Sequence, residues 1–366
     1  MIVKPEKKQA NSKSLNLEDI ARKAGVSRST VSRVINNETY VSPSTRERVM
    51  AVVEKEGYAP NPAARSLVTR RTRIIGVVIP TSIQVMFEDS AYFPALLQGV
   101  VDVTNARDYA TLLWWGSSEA DEQTLYRRIM QQNQLMDGLI LASIRTNDSL
   151  ITRLMHMKVP FVTVERPTQF ESKISYVTVD NVQAAIHAVN HLVELGRRRI
   201  ATVTGSLNNP DGYDRLIGYR QALQEAGLYL GETMESDGEF RYQTAYTVMK
   251  ELLPKQPDAV FAGSDMMALG AIKAIQEAGL RVPEDIAVIG FDDVPLAGQS
   301  NPALTTVSLP VHERGYVAAA MLLDMIEGEN TDVRQVLLPT ELIVRESCGA
   351  HLQPTTAGTS LAKSGL

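Results

Sequence analysis

The sequence of 366 residues has a single cysteine, Cys348, which excludes a disulfide framework and fits a reducing compartment. It has no apolar run near the ~18 residues of a membrane span, so no membrane partner is expected. It has five histidines, at 156, 187, 191, 312 and 351. His187 and His191 stand four apart, but no acidic ligand pair accompanies them, and neither a metal nor a cofactor is expected. There is no phosphate-binding Gly-x-x-x-x-Gly-Lys-Ser/Thr run, no Gly-x-Ser-x-Gly elbow and no His-Glu-x-x-His, so an enzyme is not expected. The lysines among residues 1–14 are followed by no apolar stretch. That segment is expected to be a disordered polar leader and not a signal peptide, which implies a cytoplasmic location.

What is present is uneven. Residues 1–73 hold 15 Lys and Arg against 7 Asp and Glu, and the remainder holds 22 against 35. A basic head on an acidic body fits a small module that meets phosphates and a large one that does not.

The head carries the most informative stretch, residues 17–36. It reads as two short helices joined by a turn at Ala24-Gly25-Val26-Ser27. Ser27 is a good N-cap for the second. Val31, Val34 and Ile35 give that helix one buried stripe, as Ile20, Ala21 and Ala24 do for the first. The opposite face presents Arg28, Ser29, Ser32, Arg33 and Asn36, side chains that suit base edges in a major groove. Double-stranded DNA is therefore an expected partner. Arg28 and Arg33 are the candidates for base contact, with phosphate contact the alternative. Ser27 and Ser29 belong to the same surface. Thr30, Ser32, Asn36 and Tyr40 are expected to hold phosphates. A third helix over 45–56, capped by Ser44 or Ser42, ends at Gly57. Asn61 and Pro62 then mark the start of a very short helix, which is marginal in water by itself.

From Ile74 the texture changes. Apolar strands are expected at Ile74–Ile79, Tyr109–Trp114, Gly138–Ala142, Phe161–Val164, Tyr176–Val179, Ile200–Thr204, Ala259–Ala262 and Ala287–Gly290. Helical patterns separate most of them, at Phe93–Arg107, Glu119–Gln134, Asn181–Leu195, Arg215–Ala226, Tyr242–Leu253 and Met266–Ala278. Short, wholly apolar strands between helices imply parallel sheets buried on both faces. There are enough for two α/β lobes whose cleft lies at the carboxyl ends of the strands.

The chain resembles the lactose-repressor/galactose-repressor family of bacterial transcription regulators over about residues 15–348. The resemblance rests on an ordered series. Leu17-Glu-Asp-Ile-Ala21, Ala24-Gly-Val-Ser27 and Thr30-Val-Ser-Arg-Val34 match its DNA-reading motif. Tyr58-x-Pro60-Asn61 with Ala64-Arg65-Ser66-Leu67 matches its hinge helix, and Ile75-Gly-Val-Val-Ile79 opens the regulatory domain. Asp214-Arg215-x-x-Gly218-Tyr219, Ser264-Asp265-x-x-Ala268-Leu269-Gly270, Val288-Ile-Gly-Phe-Asp-Asp293 and Pro302-x-Leu304-Thr305-Thr306-Val307 follow.

The resemblance implies an all-α helix-turn-helix head with a hinge helix, then an α/β two-lobed body like type I periplasmic binding proteins. Its implied divisions are a leader at 1–14, the head at 15–60, hinge and linker at 61–73, the body at 74–348 and a disordered tail at 349–366. Lobe 1 would span about 74–173 and 307–328, and lobe 2 about 174–306 and 329–348, with crossings near Lys173, Thr306 and Gly328. The implied function is a repressor that binds a palindromic operator as a homodimer under a small-molecule effector. Asn61, Ala64, Arg65 and Leu67 would touch DNA, and Leu67 would wedge into the minor groove. Activation is the alternative sense of control. An exported solute-binding protein is a distant alternative that the basic head opposes.

In the cleft, Arg215 is the leading polar candidate, a salt bridge with Asp211 or Asp214 being its alternative role. Asp292 ends a strand where a carboxylate can accept hydroxyl hydrogen bonds, and Asp293 is read as structural. Ser264 can contact ligand or cap a helix. Phe240 matches a position where the family often has an aromatic ring. Tyr92 or Phe93 could stack on a ligand ring, and Glu165 faces the same cleft. The purine-responsive branch shares the Ala-Tyr-Phe run here but carries tryptophan where this chain has Arg166. That favours a sugar-like effector over a purine or nucleoside.

Overall fold

A computed structural model of the chain describes residues 15–35, 40–58, 71–82, 92–116 and 122–352. The expected leader, hinge helix and most of the tail lie outside these residues, and so do Asn36, Asn61, Ala64, Arg65 and Leu67. The chain divides into two compact units, Met1–Thr72 and Arg73–Leu366.

In the first unit, α1 (Leu17–Ala24) opens on a capping box. Asn16 accepts from the Asp19 amide while Asp19 accepts from that of Asn16. Gly25 closes it at φ 65°, a conformation that costs glycine little. α2 (Arg28–Ile35) follows at once, and α3 (Pro43–Glu56) starts on the Ser42 cap with proline in its first turn. Ile20, Ala21, Ala24, Val31, Val34 and Val49 form one small core that fixes the three helices.

The second unit holds two six-stranded sheets. The first runs β11-β5-β4-β3-β1-β2, with β1 (Ile74–Ser82), β2 (Ala110–Gly116), β3 (Gly138–Leu141), β4 (Phe161–Thr163), β5 (Ser175–Val179) and β11 (Gln335–Leu338). The second runs β12-β10-β9-β8-β6-β7, with β6 (Ile200–Thr204), β7 (Glu235–Asp237), β8 (Ala259–Ala262), β9 (Ala287–Asp292), β10 (Thr305–Ser308) and β12 (Glu341–Ile343). Every pairing is parallel except β12 on β10. Strands such as Ile200–Thr204 are buried at every residue, as two-sided helix cover requires.

The helices of the first lobe are α4 (Tyr92–Ala106), α5 (Glu122–Gln131), α6 (Ser149–Met157) and α11 (Val311–Glu327); those of the second are α7 (Asn181–Glu194), α8 (Pro210–Glu225), α9 (Tyr242–Leu252) and α10 (Asp265–Glu277). α4 and α11 approach so closely that a Cβ on Gly99 would sit 2.0 Å from the His312 carbonyl oxygen. None of the described helices is long and apolar enough to cross a membrane.

Because β5 pairs in the first sheet and β10 in the second, the chain crosses later than expected. The crossings lie at Asp180, at Leu309–Pro310 and at Pro339–Thr340, rather than near Lys173, Thr306 and Gly328. The reason is that each crossing follows a complete strand, so every crossing segment leaves from the carboxyl end of a sheet. α6, α11 and the short strands β7, β10, β11 and β12 are additional to the elements expected.

Candidate functional site

Two places gather polar side chains on rigid elements. In the first unit, the Thr30 amide donates to Ser27 Oγ at 3.1 Å, so Ser27 caps α2 as its position requires. Burial of Val31 and Val34 turns the other face outward. There Ser27, Arg28, Ser29 and Arg33 are exposed and Thr30 and Ser32 half-buried. Arg28 lies 3.5 Å from Glu18, a surface pair. The Arg33 guanidinium lies 5.3 Å from the centre of the Tyr40 ring, and Tyr40 is itself 68% exposed. A cationic, hydroxyl-bearing helix face exposed at Ser27, Arg28, Ser29 and Arg33 is the form that a groove reader takes.

In the second unit the site lies where the carboxyl ends of both sheets meet. Arg215, in the first turns of α8, is buried. Its Nε donates to Asn181 Oδ1 at 2.9 Å, and its Nη1 donates to the Gly263 carbonyl at 2.5 Å and reaches Asp292 Oδ1 at 3.4 Å. The guanidinium stacks 3.6 Å above the Phe291 ring. Asp292 itself holds a φ of 113°, a conformation that L residues rarely adopt and one that aims the end of β9 into the cleft. Neither Asp211 nor Asp214 is the ion-pair partner of Arg215. Asp214 instead accepts from Arg166, whose Nη2 donates to both carboxylate oxygens at 2.9 and 3.1 Å. Asp211 is reached through Asn181, whose Nδ2 donates to it at 2.9 Å.

Asp211 also accepts from Arg314 Nη2 at 2.9 Å, and Arg314 Nη1 donates to the Tyr92 hydroxyl at 3.1 Å. Arg314 is fully buried. Burial works against its charge, but the Asp211 carboxylate, the Tyr92 oxygen and Glu165 outweigh it and hold the guanidinium ionised. One chain of contacts therefore links Tyr92 of the first lobe to Arg215 and Asp292 of the second. Glu165 accepts from the Ser143 amide at 2.8 Å and the Ile144 amide at 3.3 Å. Its burial pushes the carboxyl up to about 7 in spite of Arg314.

The remaining candidates sit as follows. Phe93 is 7% exposed in the first lobe's core, edge-on to Tyr92 at 5.2 Å. Ser264 caps α10, accepting from the Met267 amide at 3.3 Å. The tip of the Phe240 ring abuts Gly205, where a Cβ would collide with it. Asp293 pairs with Arg345 at 2.7 Å. Beside Tyr92 and Asp292 opens a cavity of about 390 Å³, walled also by Leu309, Pro310 and Val311 of the second crossing. That size suits a small ligand.

Arg314 and Asn181 are absent from the candidate site residues singled out by sequence, and Asp211 stands there only as an alternative partner for Arg215. A signal for α11 existed, because Pro310 precedes it and Gly328 ends it in the left-handed conformation at φ 80°. Nothing in the sequence pairs an arginine there with an aspartate 103 positions earlier.

A three-helix head with a cationic helix face and a body of two lobes that enclose ionisable groups together have the form of a DNA-binding regulator. Comparison with known proteins agrees. Residues 16–61 match the model of bacterial regulatory proteins of the lacI family, and residues 189–348 match the periplasmic binding protein-like domain. The HTH-type transcriptional regulator CelR of Thermobifida fusca is 40% identical over 334 residues, 90% of this chain and 97% of that one. Among solved structures, a complex of the transcriptional regulator CelR with cellobiose is 38% identical with a TM-score of 0.72, covering 91% of this chain and 99% of that one. The lac repressor dimer bound to operator and the anti-inducer ONPF gives a TM-score of 0.78 at 27% identity, covering 92% of this chain and 99% of that one. The chain belongs to the lacI family of bacterial regulatory proteins; it is a transcriptional regulator and not an enzyme.

Proposed function

We propose that this regulator is a repressor that binds a palindromic operator as a homodimer and answers to a sugar, of the cellobiose class, held between its lobes. The observation that carries this reading is the pairing of an exposed Arg28–Arg33 helix face with a cavity bordered by Tyr92 and Asp292, groups suited to hydroxyls. Arg28 reads a base edge by a bidentate contact, and Arg33 meets a base or phosphate about one turn further on. Ser27, Ser29, Thr30, Ser32, Asn36 and Tyr40 fix the register. The hinge residues Asn61, Ala64 and Arg65 lie along the minor groove, and the two Leu67 side chains wedge apart the central step.

Asp292, Arg215, Glu165 and Tyr92 supply acceptors and donors for sugar hydroxyls, and the Phe240 ring supplies an apolar face. Arg166 at the cleft rim, where a stacking ring would serve a purine, supports a sugar in preference to a nucleobase. The relative solved with cellobiose supports the disaccharide. The effector acts through its differential affinity for two arrangements of the lobes, which alters the spacing of the two hinges.

The test is selection of binding sites from random duplexes by the full chain. Recovery of one palindrome is the expected result, and recovery of unrelated or asymmetric sequences would reject the reading. Leu67→Ser then weakens binding to that palindrome far more than binding to random DNA. Equal losses on both would reject the wedge.

A further inference from the structure

The first turn of α8 is gripped by the opposite lobe. On the second lobe's side stand Asn208, Asn209, Asp211 and Asp214. From the first lobe, Arg314 meets Asp211 at 2.9 Å with both side chains buried, and Arg166 meets Asp214 at 2.9 Å nearer the rim. Asn209 Nδ2 donates to the Ile144 carbonyl at 3.1 Å, and the Thr146 amide donates to the Asn208 carbonyl at 2.6 Å. These contacts join protein to protein, and an effector supplies none of their partners.

Their chemistry decides what they do. A buried arginine beside a buried aspartate is held by mutual need, because parting them leaves each charge in a poor solvent. The burial of Asp214 raises its carboxyl, and the hydrogen bond from Arg166 pulls it back, so this pair too gains from staying made. The Thr146 amide and the Asn208 and Ile144 carbonyls are backbone groups whose partners are lost when the lobes part.

We infer that Arg314 and Arg166 are positioning residues of a two-point clasp that holds the lobes closed on the first turn of α8 without any effector. The clasp rests on the proposed role of the cleft, since it sets how much of the effector's binding free energy is spent on closing the lobes. An effector that meets lobes already closed binds with nearly its intrinsic affinity; one that must close them binds more weakly by the closed fraction.

The Thr146 amide gives a direct readout, because opening the lobes exposes it while each lobe stays folded. In hydrogen exchange on the full chain without ligand, the peptide bearing Thr146 is protected. Arg166→Gln speeds its exchange about threefold, as the loss of a partly exposed pair implies. Arg314→Met speeds it more than about thirtyfold, as the loss of a buried one implies. Strand Ile200–Thr204 keeps its protection in both. Cellobiose, as probe, binds each variant more weakly only by the ratio in which the closed fraction falls, so its affinity drops measurably only where the open state becomes a substantial share.

Unprotected Thr146 in the parent chain, or equal exchange in parent and variants, would overturn the clasp. Where Arg314→Met also strips protection from Ile200–Thr204, the lobe has unfolded and the rim pair decides. Arg166→Asp then speeds Thr146 exchange, and adding Asp214→Arg restores it; absence of restoration overturns the proposal. A parent chain that ignores cellobiose removes the effector reading, and the Thr146 exchange arm stands without it.

Discussion

Arg28 and Arg33 of the head stand in solvent on a helix face that carries no apolar anchor, and Arg28 reaches a neighbouring glutamate at 3.5 Å. Arg215 and Arg314 of the body are 4% and 0% exposed, each hydrogen-bonded to several oxygens and each beside a carboxylate. The same side chain thus serves two opposite ends. An exposed arginine costs the fold little and is available to a partner that brings its own acceptors. A buried one is already committed, and a ligand or a motion can engage it only by exchanging one set of partners for another. The head can therefore add contacts while the body can only trade them, and on the proposed function that trade is what makes DNA binding conditional.

That contrast is broken most strongly if the two kinds of arginine prove equal in stability. Arg314→Met costs about 3–5 kcal/mol, because Asp211 is left buried with its ion-pair partner removed. Arg28→Ala changes stability by less than about 0.5 kcal/mol, as a surface substitution should. Chemical denaturation of the two variants, compared by midpoint and slope, checks both.

The next effect concerns Glu165. Its carboxyl is raised to about 7 from an ordinary value of 4.5, so the folded chain keeps a proton that the unfolded chain releases. The stabilisation is complete below 4.5 and is lost as pH rises through about 7. Glu165→Gln removes this share, roughly 3 kcal/mol between those limits. Asp265, raised to about 7 by its own burial, keeps its share in both chains. Melting temperatures from pH 4 to 8 fall more steeply in the parent; parallel curves would place Glu165 in a more polar setting than its burial implies.

In the head the expected losses are of binding. Arg28→Ala lowers operator affinity by about 1–3 kcal/mol and relaxes preference at one base position, whereas a phosphate contact lowers all sequences alike. Base-by-base affinity measurement separates the two. Smallest is Ser27→Ala, which removes the cap on α2 and costs about 1 kcal/mol of stability, visible as a lower melting point of the head.

The sequence makes the two regions legible to different degrees. The head's three helices are announced by Ser27, Ser42, Gly25 and Gly57, each a local signal for a local structure. The strands buried on both faces, such as Gly138–Leu141 and Ala259–Ala262, are announced by unbroken apolar runs. β7 and β11 are short edge strands with exposed positions, so no such run marks them, and β10 and β12 are just as short. The second and third crossings come late because they follow β10 and β11, and the first because β5, itself expected, pairs in the first sheet and not the second. The cleft is legible only in part. Arg215 and Asp292 lie beside strand ends and can be inferred. Arg314 lies within a helix, and its partner Asp211 comes from the other lobe, so their pairing depends on how two folded bodies meet. No local pattern encodes that.

On the proposed function, DNA binding by this chain is conditional on the state of the cleft. Affinity of the full chain for its selected palindrome, measured with and without saturating cellobiose, tests it directly. The expected change is about tenfold or more, the coupling typical of an allosteric regulator. Equal affinity in both, with cellobiose shown to occupy the cleft, would contradict it.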